Sequence, residues 1–363
     1  MNILHTETLF NWGGEQNKVI NEMLAMRELG HNVMLLCNPN SQIANKAKEL
    51  NFQVFEQQIH KKNYHKTIPF LSKLIKENNI KIVISHGSTD SWICAICAIW
   101  WRKNVIFVRE RHNLFAIKNW LSKLAFRYFY DYIFYISASV GEYLHSLKIN
   151  KNKLIYMPSC VDVKAFEEPK SELREQISSK ICVGTFTSLY EEKGAYDLAI
   201  LARELSAQID DFTFIFGGNV SDNTKEKMLK IMGEEAAKKA IFTGFRQDKA
   251  NVIKACDVFV FASHSEGLGT ALIEAMSAKR PIVVYDKAPM NKLILHETRG
   301  LCATYKNPMG LKYCVLHLLN NPNKAQTLAK NAYEFALENY DKSVLKSHIK
   351  NFLALINFAN KID

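Results

Sequence analysis

The sequence predicts an α/β protein made of two parallel-sheet domains. Short apolar runs, typical of buried strands, alternate with amphipathic helical stretches along all 363 residues, the pattern of parallel sheets covered by helices. This length exceeds what one hydrophobic core usually organises. With 48% hydrophobic and 23% charged residues, the composition indicates a folded globular protein and excludes a disordered chain.

Strand-like segments can be followed in chain order. The first half contains them at 2–5, 32–37, 80–85, 105–108, 132–136 and 154–157. The second half contains them at 181–185, 213–217, 240–243, 257–261 and 281–284. A turn at 157–162 and a charged stretch at 164–180 separate the two sets. We therefore expect a first domain at 1–163, a second at 164–340, and a terminal helical segment at 341–363.

The first strand leads into a glycine-rich turn. Gly13 and Gly14 precede a helical stretch at 15–28. Consecutive glycines allow close backbone approach, and a helix N-terminus favours an anion. A turn of this kind is more often only a connection, so the pattern alone leaves both explanations open.

Polar side chains also follow two later strands of the first half. Since open α/β sheets bind ligands at the carboxyl ends of their strands, these side chains are candidate substrate contacts. The candidates after the strands 80–85 and 105–108 are His86, Arg109, Arg111 and His112. For His86, a loop histidine bonded to the backbone is an equally good explanation.

The charge is concentrated in the first half. Residues 1–160 contain 20 Lys and Arg against 11 Asp and Glu, or +9, whereas the remainder contains 27 against 25, or +2. This favours an anionic acceptor or an anionic membrane surface, although a lysine-rich solvated face would look the same. Between 114 and 135, aromatic residues alternate with Lys118, Lys123 and Arg127, as in a helix at a membrane surface or in ordinary core packing. No nucleic-acid-binding motif is present.

Targeting and metal signals are weak. The N-terminus lacks a signal-peptide pattern, and the longest apolar run, 92–101, is half the length of a bilayer span. We therefore expect a cytoplasmic protein. Eight cysteines are scattered, and Cys94 and Cys97 lie in an apolar helical pattern. This favours core packing, and without zinc-type spacing we expect no structural metal.

The most informative stretch is 263–276, which follows the strand at 257–261 and opens a helix. Glu266 lies at the carboxyl end of that strand, and Glu274 lies eight residues later. The turn between them contains Gly267, Leu268, Gly269 and Thr270. Two acids beside a glycine-rich helix N-terminus suit a ligand with hydroxyls at one end and phosphates at the other. A nucleotide sugar is such a ligand.

These motifs resemble those of glycosyltransferase family 4, retaining enzymes of the GT-B fold, over nearly the whole chain. The segment 266–274 resembles the paired-glutamate motif of that family. The Trp-Gly-Gly of 12–14 and the Arg-x-Arg-His of 109–112 are similar to a subgroup in bacterial surface polysaccharide and lipopolysaccharide assembly. The resemblance implies two Rossmann-like domains facing each other across a cleft. The first would bind the acceptor and the second the nucleotide sugar, with 341–363 crossing back to the first.

The resemblance also implies roles for single residues. His112 would contact the transferred sugar, Glu266 the sugar hydroxyls, and Lys193 the donor diphosphate; these form the catalytic set. The implied donor-binding positions are Gly13, Gly14, Ser188, Phe245, Arg246, Gly267, Leu268, Gly269, Thr270 and Glu274, the last on the ribose. His86, Arg109 and Arg111 are the acceptor-side positions.

One position departs from the family pattern. Ser188 stands where the family usually has an arginine on the donor phosphates. A hydroxyl cannot supply a fixed bidentate cation. Either another cation serves, for which Arg246 is a candidate, or the diphosphate is held less tightly.

We therefore expect a retaining glycosyltransferase, in enzyme class EC 2.4, that moves a sugar from a nucleoside-diphosphate sugar to a cell-surface glycan or glycolipid such as lipopolysaccharide core. The resemblance implies no required metal or other cofactor. The expected partners are the nucleotide sugar, an anionic glycan or glycolipid and, peripherally, the cytoplasmic face of the inner membrane, but no nucleic acid. A GT-B nucleotide-sugar epimerase shares the architecture, and an inactive GT-B-like binding subunit would fit Ser188.

Overall fold

The computed structural model describes residues 1–167 and 171–359. The chain divides into two compact units, Met1–Cys160 with the segment from Lys342 onward, and Val161–Asp341. The sequence had suggested divisions after 163 and after 340, against 160 and 341 here. The predicted linker 164–180 and terminal segment 341–363 lie partly outside the described residues, at 168–170 and 360–363.

The first unit is built on a seven-stranded parallel sheet in the order β3-β2-β1-β4-β5-β6-β7. Its strands are β1 (Asn2–Glu7), β2 (Asn32–Cys37), β3 (Gln53–Glu56), β4 (Ile80–Ser85), β5 (Ile106–Arg111), β6 (Tyr132–Tyr135) and β7 (Leu154–Tyr156). Its helices are α1 (Gly14–Glu28), α2 (Gln42–Glu49), α3 (Tyr64–Glu77), α4 (Ser88–Trp101), α5 (Trp120–Tyr128), α6 (Ala138–Ser146) and, from the end of the chain, α15 (Lys342–Ala359). The direction of the strand order reverses next to β1, and doubly wound sheets bind ligands at such a reversal.

The second unit repeats this plan with a six-stranded parallel sheet in the order β10-β9-β8-β11-β12-β13. Its strands are β8 (Ile181–Phe186), β9 (Phe212–Gly217), β10 (Ala240–Gly244), β11 (Val258–Phe261), β12 (Ile282–Tyr285) and β13 (Leu301–Ala303). Its helices are α7 (Glu172–Gln176), α8 (Ala195–Ser206), α9 (Asp222–Lys238), α10 (Lys249–Lys254), α11 (Thr270–Ser277), α12 (Met290–Ile294), α13 (Pro308–Asn320) and α14 (Pro322–Tyr340). The α/β class with two parallel sheets is thus confirmed.

Each sheet is buried on both faces, which explains why its central strands are almost continuously apolar. In the second unit every residue of β9 is buried, and the rings of Phe214 and Phe216 pack at a tilt in its core with centroids 4.4 Å apart. In the first unit, Phe352 of α15 meets the ring of Phe134 edge-on at 4.8 Å. The terminal helix is therefore part of the first core.

The strand predictions were wrong at three places. The sequence did not reveal β3 and β13, because both are short edge strands and β3 is only half-buried. The prediction that Arg109 and Arg111 follow a strand ending at 108 was also wrong, since β5 continues to Arg111. Polar side chains are tolerated there because Glu110 is ion-paired with Lys18 and Arg109 donates to the Ser85 carbonyl at 2.9 Å.

The cysteines and the apolar stretches have ordinary structural roles. All eight cysteines are free thiols, and Cys94 and Cys97 are buried on α4. Among the described residues, no helix combines the length and apolarity that a bilayer crossing requires.

Candidate functional site

In the second unit, Lys193 and Glu266 meet at the carboxyl ends of β8 and β11. The Lys193 ammonium donates to Glu266 Oε1 at 2.6 Å and to the Ser265 carbonyl at 3.3 Å. Their side chains are only 18% and 12% exposed. The loop after β11 is fixed by the His264 amide, which donates to the Glu192 carbonyl at 2.8 Å. The structure thus brings two sequence-predicted residues into direct contact.

Gly194 explains why a glycine follows Lys193. Its φ is +75°, and a Cβ would lie 2.1 Å from the Ala262 carbonyl oxygen. No other residue fits this close crossing of the loops after β8 and β11. The glycine therefore holds Lys193 beside Glu266.

Replacing Gly194 with alanine is expected to destabilise the second unit by roughly 3 kcal/mol, through left-handed strain plus the clash. Gly244 is a matched control, because its φ is +65° and nothing lies within 4 Å of its Cβ position. Gly244→Ala should cost only about 1–2 kcal/mol. Scanning calorimetry measures both, and equal shifts in melting temperature would contradict the predicted clash.

The turn from β11 into α11 presents a helix N-terminus. Gly269, with φ +92°, is the N-cap of α11, and no side chain caps this helix. Leu268 is buried, whereas Gly267 and Thr270 are half-buried. Backbone N–H groups at such an end attract anions, so the predicted donor-binding turn has the geometry of an anion site.

Glu274 lies on α11 and is 4% exposed. Its carboxylate forms an ion pair with Lys249, the first residue of α10. Sequence reasoning missed Lys249, because the two residues are 25 positions apart and no motif links them. A second lysine–glutamate pair therefore lies beside α11.

The remaining predicted donor positions lie in neighbouring loops. Ser188 is exposed in the loop after β8, and Phe245, which follows β10, is 50% exposed. The Arg246 guanidinium forms two hydrogen bonds to Asp248, at 2.8 and 2.5 Å. The charge of Arg246 is thus matched by Asp248, as that of Lys249 is by Glu274.

In the first unit, Gly13 is the N-cap of α1 in an extended conformation, and Gly14 is the first residue of this helix. A Cβ on Gly13 would meet only Gln16 Oε1, at 3.4 Å, which is ordinary contact. The fold itself therefore does not require glycine at this position. A ligand that approaches the backbone closely is the explanation that we still expect for Gly13.

Three histidines form a hydrogen-bonded chain at the carboxyl ends of β1, β4 and β5. His5 Nδ1 lies 2.9 Å from His86 Nε2, and His86 Nδ1 lies 3.1 Å from His112 Nε2. The side chain of His86 is fully buried and that of His112 is 6% exposed. Burial lowers the pKa of His5 and of His86 to about 3, and that of His112 well below its ordinary value. All three rings are therefore neutral near pH 7.

Glu110 lies against this chain. Its Oε2 is 3.1 Å from His86 Nδ1 and 3.8 Å from His112 Nε2. The other oxygen forms an ion pair with Lys18 of α1, which also pairs with Glu22, and all three side chains are buried. Burial opposes the charge of Lys18, but Glu110 and Glu22 outweigh it and raise the pKa of Lys18. The sequence analysis did not predict Lys18, Glu22 and Glu110 as part of this cluster. The signal that could have revealed it is the pair of charged residues at positions 18 and 22 on the buried face of α1.

The predicted acceptor-side residues are mostly covered by protein. His86 is 2% and Arg109 4% exposed. Arg111 is half-buried and donates to the Phe115 carbonyl, and burial lowers its pKa to about 10. Acceptor contact stays a prediction for all three, and Arg111 has the more accessible surface.

Glu7, at the end of β1, is a buried acid that the sequence analysis missed. Its Oε1 accepts from the backbone N–H of Thr8 at 2.6 Å and of Leu9 at 2.9 Å. Burial, with a further contribution from Asp90, raises the pKa of Glu7 to about 7. Burial and the nearby Glu7 raise the pKa of Glu15 to about 9. Neutral carboxyl groups are therefore expected beside the start of α1.

The raised pKa of Glu7 predicts a pH-dependent stability. Between about pH 4.5 and 7 the folded state holds a proton that the unfolded state releases, so this contribution is lost as pH rises. The stability of the wild type relative to Glu7→Gln should fall by up to about 1.4 kcal/mol per pH unit in that window. All five tryptophans lie in residues 1–160, so their fluorescence in urea titrations at pH 5 and 7 reports this unit. A pH-independent difference would contradict the raised pKa.

Among the residues that the structure describes, two side-chain groups have atoms close enough to share a metal ion. They are His5, Glu22 and His86, and His86, Glu110 and His112, with ligand atoms within 4.8 Å of one another in each group. Lys18 pairs with both glutamates, so its ammonium already occupies part of their coordinating capacity. Metal independence stays a prediction.

Comparisons with known proteins identify the class. A model described as "Glycosyltransferase Family 4" matches residues 12–165, and one described as "Glycosyl transferases group 1" matches residues 169–335. The N,N'-diacetylbacillosaminyl-diphospho-undecaprenol alpha-1,3-N-acetylgalactosaminyltransferase of Campylobacter jejuni is 24% identical over 334 residues, covering 85% of this chain and 87% of that relative.

Solved structures show the same fold. A glycosyltransferase from Rickettsia africae superposes with a TM-score of 0.87 at 17% identity, with 97% of each chain covered. Anabaena HepE, solved in complex with UDP and glucose, superposes with a TM-score of 0.85 at 17% identity, covering 98% of this chain and 99% of that one.

The two parallel sheets and the loops at their carboxyl ends, together with these matches, define a GT-B glycosyltransferase. The family 4 model matches the first unit and the group 1 model matches the second, and the relative described above is a glycosyltransferase, so the chain is a glycosyltransferase. The predicted enzyme class is therefore confirmed.

Proposed function

We propose that this enzyme is a retaining transferase that moves a sugar from a nucleoside-diphosphate sugar to a lipid-linked glycan of the cell surface, such as lipopolysaccharide core or a related polysaccharide. The observation that carries the proposal is the pair of lysine–glutamate contacts around the α11 N-terminus. Lys193 is bonded to Glu266, and Lys249 is paired with Glu274. Cations and acids alternate there, as a ligand of phosphates and hydroxyls requires.

Donor binding would exchange the partners of these pairs. The Lys193 ammonium would turn to the diphosphate, and Glu266 would accept from the sugar hydroxyls. Glu274 would accept from the ribose hydroxyls, and Lys249 would be released to face the phosphates. Each charge is already partnered in the described state, so donor binding replaces one set of charged contacts by another.

The chemistry follows from charge. As the glycosidic bond to phosphate breaks, positive charge grows on the sugar and negative charge on the leaving diphosphate. Lys193 and the backbone at 13–14 and 267–270 would stabilise the diphosphate, and His112 would contact the sugar. Because these groups supply positive charge and dipoles themselves, we propose that catalysis needs no metal. A phosphate oxygen can take the acceptor proton, so no protein base is assigned.

We propose uracil as the base of the donor nucleotide. Support comes from HepE, whose structure contains UDP and glucose. The ring of Phe245 is 50% exposed and would offer an aromatic face to the base. Backbone groups at 245–246 would contact the base edge.

A membrane-linked acceptor is supported by three observations. The Campylobacter jejuni relative is named for an undecaprenol-linked substrate. Residues 1–160 have a net charge of +9, from 20 basic and 11 acidic residues. Around α5, Phe126 and Tyr130 are buried in the core, whereas Phe115, Trp120 and Tyr128 are exposed. The buried rings support core packing, and the exposed rings support a helix at a membrane surface. We propose peripheral contact with the cytoplasmic face of the inner membrane.

A donor and acceptor screen tests the function. Purified enzyme would be incubated with UDP-linked sugars and either polyprenyl-diphosphate-linked glycans or the same glycans without lipid. An α-linked product from an α-linked donor, formed only on the lipid-linked acceptor, is expected. A β-linked product would contradict retention, and an epimerised sugar formed from the donor alone would favour the epimerase.

A further inference from the structure

His112 is the outermost member of a buried hydrogen-bonded chain of three histidines, which no sequence motif predicted. His112 Nε2 faces His86 Nδ1 at 3.1 Å, and His86 Nε2 faces His5 Nδ1 at 2.9 Å. The chain ends at Met26, whose Sδ is 3.4 Å from His5 Nε2. Each contact between two rings needs one hydrogen, so the tautomers of the three neutral histidines are coupled.

Two arrangements of the hydrogens are conceivable. With hydrogens on every Nε2, His5 would donate to the Met26 sulfur, and the lone pair of His86 Nδ1 would face the Glu110 carboxylate. With hydrogens on every Nδ1, His86 donates to His112 Nε2, and the same N–H lies beside Glu110 Oε2, 3.1 Å from Nδ1, in a charge–dipole contact rather than a hydrogen bond. At this distance a carboxylate attracts an N–H dipole and repels a nitrogen lone pair. The second arrangement is therefore favoured.

We propose that Glu110 and His86 are positioning residues that hold His112 as the Nδ1–H tautomer, so that His112 meets its ligand as a hydrogen-bond donor. That this ligand is the donor sugar rests on the proposed function; the tautomer does not. A neutral donor suits a sugar oxygen, and a fixed ring loses no orientational freedom on binding.

Lys18 aims the carboxylate of Glu110. Its ammonium is in contact with one Glu110 oxygen, which leaves the other turned to the histidines. Glu22 shares the same ammonium from α1, while His5 on β1 and Arg109 and Arg111 on β5 complete the charged and titratable surroundings. Lys18 thus orients Glu110, and its charge also helps to lower the pKa of His112 directly.

A bound dication is the competing explanation for this geometry. The atoms of His86, Glu110 and His112 are separated by 3.1, 3.1 and 3.8 Å, spacings that metal ligands also show. Lys18 argues against a metal, because its ammonium contacts the same carboxylate and would repel a second cation in a buried place. The test therefore measures metal content as well.

Nitrogen NMR of protein labelled with ¹⁵N in its imidazole rings reads the tautomer directly. The His112 signals are assigned by their loss in His112→Gln. A protonated Nδ1 and an unprotonated Nε2 are expected for His112 from pH 6 to 8. His86→Asn should preserve this state, because its amide N–H groups can replace the His86 Nδ1–H, whereas His86→Leu should abolish it.

The opposite tautomer in the wild type, or the same His112 signals in all three proteins, would overturn the proposal. One equivalent of zinc in the purified protein by elemental analysis would also overturn it. The wild-type spectrum decides even if His86→Leu does not fold.

Kinetics then separate this inference from the proposed function. His86→Leu should lower kcat by on the order of 10²-fold, less than a wrong tautomer costs in a serine protease, because His112 transfers no proton. His86→Asn should stay within about threefold, since the donor N–H groups are kept. Equal losses in two folded variants would contradict the positioning role. An inactive wild type with the expected spectrum would leave the inference standing and reject the function.

Discussion

Replacing Glu274 with alanine is expected to lower kcat/KM for sugar transfer by ~10²-fold, the loss typical of removing one preorganised polar contact. Glu274 is 4% exposed, and its carboxylate forms an ion pair with Lys249. Its removal takes away the proposed ribose acceptor and leaves the Lys249 ammonium, only 30% exposed, without its counter-ion. Steady-state rates with saturating acceptor measure the effect, and UDP titration shows whether binding is lost in parallel.

Glu226 provides the matched control for this substitution. It lies on α9 of the same unit and pairs with Lys230, and both side chains are mostly exposed. Because exposed pairs contribute little, Glu226→Ala should change kcat/KM less than twofold. Comparable losses in the two variants would show that Glu274 acts only through stability.

Replacing Lys193 with alanine is expected to lower kcat by ~10²-fold, because a cation on the leaving diphosphate matters most as negative charge develops. Because Ser188 stands where glycosyltransferase family 4 usually has an arginine, this site has one cation fewer to stabilise the leaving diphosphate. The loss should therefore appear more strongly in kcat than in donor affinity. Measuring kcat together with the donor Kd separates the two.

Lys230→Ala is the control for Lys193, since it removes an exposed lysine that pairs with Glu226 on the surface of α9. Its kcat should be that of the wild type. A Lys193→Ala enzyme that loses donor affinity but turns over at the normal rate would restrict Lys193 to ground-state binding.

The fold was largely predictable from hydrophobic patterning. Strands buried on both faces read as apolar runs, as in β9 and β11, and they alternate with helices. β3 and β13 were not predicted, because short edge strands need less apolar sequence. The end of β5 escaped because its charged residues look like a loop until Lys18 and the Ser85 carbonyl are known to face them.

The site was predictable only where its residues share a local motif. Glu266, Gly269 and Glu274 lie within one strand–turn–helix segment, and the family pattern adds Lys193. Lys249 could not be predicted, because it reaches Glu274 from a separate helix.

The buried chain of the first unit was hidden for the same reason. His5 lies on β1, His86 directly after β4 and Glu110 on β5, and these strands are neighbours only in the sheet order β1-β4-β5. Single histidines in apolar strands carry no pattern that reveals such contacts.

Calorimetric titration of the wild type and Glu274→Ala with UDP, GDP, ADP and CMP tests the central claim most directly. Selective micromolar binding of one nucleoside diphosphate, with UDP expected, and its loss in Glu274→Ala is the predicted result. Absence of binding by all four nucleotides would contradict the proposed donor site and make the serine at position 188 the mark of an inactive binding subunit.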